Sequence, residues 1–170
     1  MRGNILSPEY MLSNLIAFLL LILAIKRPLI TRAIISLIFL GAGCYNGILA
    51  IYYPERYLIY ADLTASPMYE TFIRGAFSRH ITSYIMFIAV MQLITGTLIG
   101  WKRGWMKAAL GAAAIFLIGI APLGAGSAFP CSILLAIACL ILIFDAGEES
   151  LPDALHRKYL KGAGYHGKYK

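Results

Sequence analysis

Residues 81–107 read ITSYIMFIAVMQLITGTLIGWKRGWMK and decide the class of fold. The stretch from Ile81 to Gly100 carries no Asp, Glu, Lys or Arg, and about 20 apolar residues in a helix cross the roughly 30 Å hydrocarbon core of a bilayer. The letters that follow, WKRGWMK, combine basic residues with tryptophans, which is typical of the boundary between lipid and water. This stretch predicts a transmembrane helix that ends in a basic turn.

The rest of the chain has the same character. Hydrophobic residues make up 60% of the 170 residues and charged residues 14%, whereas a soluble domain has roughly 25% charged residues. These figures exclude a soluble globule, and the lipid environment requires each apolar stretch to be a helix. We therefore predict an all-α integral membrane bundle of five transmembrane helices, a four-helix core preceded by an N-terminal helix. The five stretches are Pro8–Ile25, Ala33–Tyr53, Ile81–Gly100, Ala108–Pro122 and Pro130–Asp145.

The chain is predicted to form a single transmembrane domain over residues 1–145, followed by a basic tail over residues 146–170. The segment Ala121–Pro130 contains two prolines and two glycines, and proline in a helix interior bends or breaks it. We favour a tight hairpin between the fourth and fifth helices, and a broken helix buried in the protein is the alternative. The fifth stretch is short for an upright span.

The positions of Lys and Arg predict the orientation. With five spans, the first connection, the third connection and the tail lie on one side and hold most of the 15 basic residues, which places that side inside. The N-terminus is then outside and the C-terminal tail inside, in a prokaryotic plasma (inner) membrane. The net charge of +7 follows from this topology, because the basic residues on the inner side are attracted to the anionic lipids of the bilayer. No nucleic-acid partner is predicted.

The only long connection, residues 54–80, lies on the predicted outer side. Ser66–Pro67 is a typical start of a helix, and the apolar residues that follow recur at helical spacing. We therefore predict an amphipathic helix that lies in the outer membrane interface. Its apolar residues are Tyr69, Phe72, Ile73, Ala76 and Phe77.

Polar groups gather around this helix, and we call the candidate ligand- or partner-binding set the outer rim. One interpretation is a polar pocket, in which an arginine binds an anion through two hydrogen bonds and Asp62 or His80 handles a proton. The other is a rim of ion pairs, Glu70 with Arg74 and Asp62 with Arg79, that anchors helix ends. The outer rim consists of Tyr45, Asn46, Asp62, Glu70, Arg74, Arg79 and His80.

Two amides, Asn46 and Gln92, lie within the predicted spans. Hydrogen bonds between helices explain them, and contacts to a quinone or another headgroup are the alternative. We predict no catalytic residues, because no Ser-His-Asp or Cys-His set at a recognisable spacing lies on one side of the membrane. We also predict no metal site, since the histidines are divided between the two sides. The sequence thus favours a protein that is not an enzyme.

Several features of the block from Arg32 to Phe144 occur together. An arginine precedes a helix with Gly41-Ala42-Gly43, Pro54 follows in the outer loop, and a third helix ends on Gly100 before a basic turn and two helices rich in small residues. In these features the block resembles the DoxX-like group of small four-helix membrane proteins, whose name comes from a quinol-oxidase subunit. The resemblance implies a link to quinol chemistry and assigns no catalytic residue.

Two functions of different class follow. The first is a non-catalytic accessory or structural subunit of a larger membrane complex, with other membrane-protein subunits as partners. The second is a DoxX-like, redox-associated protein that binds a quinone or another lipophilic small molecule at its outer face. No other cofactor is predicted.

The predicted topology is tested by labelling single cysteines in a cysteine-free variant with a membrane-impermeant reagent. A cysteine at Arg74 should react from outside the cell, and one at Lys168 should react only after the membrane is opened, because an odd number of spans separates the two positions. Labelling of both positions from the same side would contradict the five-span arrangement.

Overall fold

The structure is a computed structural model that describes residues 7–145, 147 and 149–159, and every regular element in these ranges is helical. The α-helices are α1 (Pro8–Lys26), α2 (Pro28–Tyr52), α3 (Tyr60–Leu63), α4 (Pro67–Phe72), α5 (Ile81–Ile99), α6 (Arg103–Ile120), α7 (Cys131–Asp145) and α8 (Leu151–Tyr159). Two 3₁₀ helices cover Pro54–Ile59 and Ala121–Ser127, and a π-helix covers Ile73–Phe77.

Four of the described helical segments are long and apolar enough to cross a membrane. They correspond to the first four predicted stretches, which confirms an all-α protein with several candidate membrane spans. The counterpart of the fifth stretch, α7, is apolar but has only 15 residues, against about 20 for an upright span. The four segments are Pro8–Lys26, Pro28–Tyr52, Ile81–Ile99 and Gly104–Ser127.

The helices run up and down between two ends of one bundle. At the first end, which we call the loop end, the segment between α2 and α5 meets the connector between α6 and α7. The Thr64 hydroxyl donates to the Pro122 carbonyl at 2.8 Å, and the Tyr10 hydroxyl of α1 donates to the Phe129 carbonyl. The start of α1, the end of α6 and the start of α7 therefore lie together.

The opposite end is organised by Arg32, and we call it the Arg32 end. Arg32 lies in the second turn of α2 and is completely buried. Its Nε donates to the Ile99 carbonyl at 2.8 Å, its Nη2 to the Trp101 carbonyl at 2.5 Å and its Nη1 to the Glu149 carbonyl at 2.9 Å. One side chain thus satisfies carbonyls at the end of α5, where a helix lacks partners of its own, and binds the segment after α7.

The structure places Arg32 differently from the sequence analysis. The second helix begins at Pro28 and not at Ala33, because Pro28 occupies the first helical position, where proline is favoured. The fourth helix likewise begins at Arg103, ahead of Ala108. The sequence treats Arg32 as a loop residue because charge is expensive within a span, and its three carbonyl partners are what make the helical position favourable.

Two glycines set the separation between α2 and α5. A Cβ atom at Gly43 would lie 2.8 Å from Leu93 Cγ, and one at Gly96 would lie 2.9 Å from the backbone nitrogen of Leu40. Small residues allow such close backbone approach between helices. This close approach also brings together the turn of α2 that follows Gly43 and the turn of α5 that precedes Gly96.

The segment from residue 121 to residue 130 reverses the chain. It opens with the 3₁₀ helix Ala121–Ser127, and Gly124 adopts a positive φ of 61° where its carbonyl accepts from the Phe129 N–H at 3.0 Å. The chain then enters α7, which packs against α6. The segment therefore joins α6 and α7 as a hairpin, with a kinked 3₁₀ helix in place of a tight turn.

We expect Arg32→Lys to lower the free energy of unfolding by about 2–4 kcal/mol, because a single ammonium is not placed to replace three separate guanidinium donors to buried carbonyls. Unfolding in detergent, followed by circular dichroism, measures this change. The matched control is Arg27→Lys at an exposed position, which should change stability by less than about 0.5 kcal/mol. Equal effects of the two substitutions would contradict the assigned role.

Candidate functional site

The segment between α2 and α5 folds over the loop end of the bundle. Tyr57 of the first 3₁₀ helix packs with Ile73 and Phe77 of the π-helix, and these buried residues contact Ala50 of α2 and Ile85 of α5. A helix is therefore present where the sequence predicts one after Ser66–Pro67, although its second half is a π-helix. Single π turns are frequent at functional sites.

Beneath this cover lies a cavity of about 280 Å³, which we call the head cavity. It is bounded by α2, α5, the end of α6 and the segments that close the loop end. The π-helix contributes the Phe77 side chain, and the connector contributes Gly126, where a Cβ would overlap the Tyr60 ring. Six of its 15 lining residues are aromatic, and we call them the aromatic wall: Tyr57, Tyr60, Tyr69, Phe72, Phe77 and Phe116.

A chain of hydrogen bonds crosses the wall of the head cavity. The Tyr57 hydroxyl donates to Asn46 Oδ1 at 2.8 Å, and Asn46 Nδ2 donates to Gln92 Oε1 at 2.7 Å. Asn46 and Gln92 therefore each form a hydrogen bond between helices, as predicted, and they form it with each other. All three residues also line the cavity. The same side chains can therefore join the helices and contact a ligand.

This chain ends in a donor that the protein leaves unused. The Gln92 side chain is only 7% exposed, yet within the described ranges its Nε2 group donates to no other residue. The Gln92 N–H groups are thus available to an acceptor inside the cavity.

The tyrosines of the cavity are neutral donors. Burial raises the pKa of the Tyr57 phenol to about 12, and the neighbouring Tyr60 and Tyr45 add to this increase. Burial also raises the pKa of Tyr60. Every lining side chain that the structure describes is uncharged at neutral pH. The cavity therefore suits a neutral, largely apolar molecule that offers a hydrogen-bond acceptor.

Most of the outer rim lies apart from this cavity. Arg74 binds Asp62 at 2.6 Å and Glu70 at 3.2 Å. The pair of Glu70 with Arg74 is as predicted, whereas Asp62 pairs with Arg74 and not with Arg79. Arg74 and Asp62 are well exposed, and such ion pairs contribute little to stability.

The other outer-rim residues also lie outside the head cavity, with one exception. Arg79 and His80 are exposed, and His80 stands at the start of α5. Tyr45 is 60% exposed on α2. Only Asn46 of the predicted set lines the head cavity. Among the residues that the structure describes, no group of three His, Cys, Asp or Glu side chains is arranged to hold a metal ion.

The predicted outer rim includes neither Gln92, whose contact with a headgroup was only the alternative, nor the aromatic wall. A signal for the wall exists, since Tyr69, Phe72 and Phe77 recur on one helical face. In the sequence this pattern predicts an interfacial helix instead, because aromatic residues are also typical of membrane boundaries. The sequence predicts that Gln92 forms a hydrogen bond, but it does not predict that its Nε2 group has no acceptor.

No protein-family model matches the chain, and no curated protein or solved structure matches it. The resemblance to the DoxX-like group stays a prediction.

The state of the Tyr57 phenol is a direct test of the cavity. At pH 10 a phenol with an ordinary pKa of about 10 is half ionised, whereas Tyr57, with its pKa raised to about 12, should remain almost entirely protonated and still donate to Asn46. The Cζ signal of ¹³C-labelled tyrosine reports ionisation, and Tyr57→Phe assigns the signal. Half-ionisation of Tyr57 near pH 10 would contradict its burial in the cavity.

Proposed function

We propose that this chain is a multi-pass membrane protein that binds a neutral, lipophilic small molecule in the head cavity. The observation that carries the proposal is Gln92, a buried residue whose Nε2 group finds no acceptor among the described residues and which lines the head cavity. A ligand with a carbonyl oxygen supplies that acceptor, and the aromatic wall supplies apolar contact on its remaining surface.

In this proposal the bundle crosses the bilayer five times. The chain is at the loop end at Phe129 and at the Arg32 end at Glu149, so α7 runs between the two ends and is the fifth span. The loop end faces outward and the Arg32 end inward, in a prokaryotic plasma membrane. Arg27, Lys102 and Lys107 near the Arg32 end support this orientation. The helical segment from residue 67 to residue 77 lies in the outer interface.

A quinone has the chemistry that the cavity calls for. Its ring is flat and neutral, it stacks on aromatic side chains, and its carbonyl oxygen accepts from an amide N–H. The resemblance to the DoxX-like group points to the same class from the sequence. In this assignment Asn46, Tyr57 and Gln92 bind and orient the head of the ligand, and the other residues of the outer rim do not contact it.

A second candidate function, an accessory subunit of a larger complex, has a separate observation in its favour. Gly41, Cys44 and Tyr45 lie on a face of α2 that points away from the rest of the bundle, and a Cβ at Gly41 would meet nothing within 4 Å. Small residues on such a face allow another transmembrane helix to approach closely.

Binding of ubiquinone-1, a benzoquinone with one isoprene unit, to the protein in lipid nanodiscs tests the first function. Gln92→Leu keeps the volume of the side chain and removes its donor, and we expect the Kd to rise about tenfold, the value of one good hydrogen bond. The control variant combines Arg79→Ala with His80→Ala on the outer rim and should leave the Kd within about twofold.

The outcomes separate the alternatives. Thermal unfolding of each variant shows whether Gln92→Leu still folds, so that a loss of binding is assigned to the site. Loss of binding in the rim variant with none in Gln92→Leu would transfer the site to the outer rim. Absence of binding together with co-purification of larger membrane proteins would favour the accessory subunit.

A further inference from the structure

A second cavity, of about 320 Å³, lies between α5 and α6 below the head cavity, and we call it the groove. Its walls include Phe87 and Met91 of α5 and Ala112 and Ile115 of α6, with Phe39 of α2 behind them. The lining is almost entirely apolar. Packing between α5 and α6 thus leaves an apolar space in the middle of two candidate membrane spans.

The groove and the head cavity adjoin each other. Ile88, Gln92 and Phe116 line both of them, so the two volumes meet at the unused Gln92 amide. Along α5 the combined lining runs from Ile85 to Thr95, which is about 15 Å at 1.5 Å per residue. The groove itself spans Phe87 to Thr95 on α5, about 12 Å at 1.5 Å per residue, and continues about 5 Å beyond Gln92 toward the Arg32 end.

The groove is open on its side. Phe87 is 67% exposed, Met91 44% and Ile115 74%. In the membrane arrangement proposed above, this side faces lipid chains and not water. A molecule held at Gln92 can extend through the groove without leaving an apolar environment.

We propose that the ligand is a lipid with one neutral head and a long apolar chain, whose head occupies the head cavity and whose chain lies in the groove between α5 and α6. The inference rests on the proposed function and adds the chain and its path. The occupant is a chain and not a partner helix, because a helix with its side chains is about 10–12 Å across and the groove is too small for one. The ligand then enters and leaves sideways, from the bilayer.

Two kinds of lipid share this chemistry, an isoprenoid quinone and a monoacyl glyceride. Both carry a carbonyl acceptor on an uncharged head, and both have a single chain. Competition by each against one labelled probe distinguishes the two sources.

The test uses a benzoquinone probe with a ten-carbon chain that bears a photoreactive diazirine near its far end. After illumination in nanodiscs, mass spectrometry maps the adducts on the full chain. We expect the adducts at Met91, Thr95 and Ile115, on both sides of the groove. Adducts distributed evenly over other lipid-facing helices, such as α1, would overturn the proposed path.

A substitution in the groove supplies the second readout. Ala112→Phe places a ring in the groove. We expect the affinity for the ten-carbon probe to fall about tenfold, because overpacking an occupied site lowers the binding free energy. Ubiquinone-1, which lacks the long chain, should lose less affinity than the ten-carbon probe. Ala108→Phe is the matched control, since Ala108 is also exposed on α6 and does not line the groove.

The two proposals fail in different ways. If ubiquinone-1 binds and depends on Gln92, while Ala112→Phe affects neither probe, the head site stands and the chain path is wrong. If neither probe depends on Gln92, the proposed function itself is wrong.

Discussion

The bundle depends on how Arg32 satisfies backbone carbonyls at the end of α5. A helix leaves its last carbonyls without partners, and lipid offers none. Arg32 reaches them from the neighbouring helix and also binds the Glu149 carbonyl. Its cost of burial is offset by these charge-assisted hydrogen bonds. The relative positions of α2, α5 and the segment after α7 are consequently fixed at one end of the molecule.

The loop end is fixed by different means, and the head cavity results from the difference. There the Pro122 carbonyl accepts from Thr64, and the Gly119 carbonyl accepts from Tyr69 at 2.5 Å. These bonds attach the covering segment to the end of α6 and to the connector that follows it. The glycines at positions 43 and 96 meanwhile hold α5 against α2. An opening therefore remains between α5 and α6, and the amide of Gln92 faces it.

Hydrophobic periodicity, proline and the basic residues were sufficient to predict the helical class and most helix positions. The sequence also predicts interhelical hydrogen bonds for Asn46 and Gln92, since amides within spans require partners, and the structure shows that the two bind each other. It does not reveal the burial of Arg32, because the carbonyls that bind it lie far away along the chain. For the same reason the rim of charged residues stood out, whereas the cavity, which is built from aromatic residues of five segments, did not.

The hydrogen-bond chain from Tyr57 to Gln92 has a direction, and that direction is reversible. Both amides carry a donor and an acceptor at equivalent positions, so rotating the two together by half a turn keeps both hydrogen bonds, with the Tyr57 oxygen now accepting. Gln92 then presents its carbonyl oxygen to the cavity in place of its N–H groups. For the ligand proposed above, one set of side chains would bind a carbonyl in one orientation and a hydroxyl in the other, which are the two oxidation states of a quinone head.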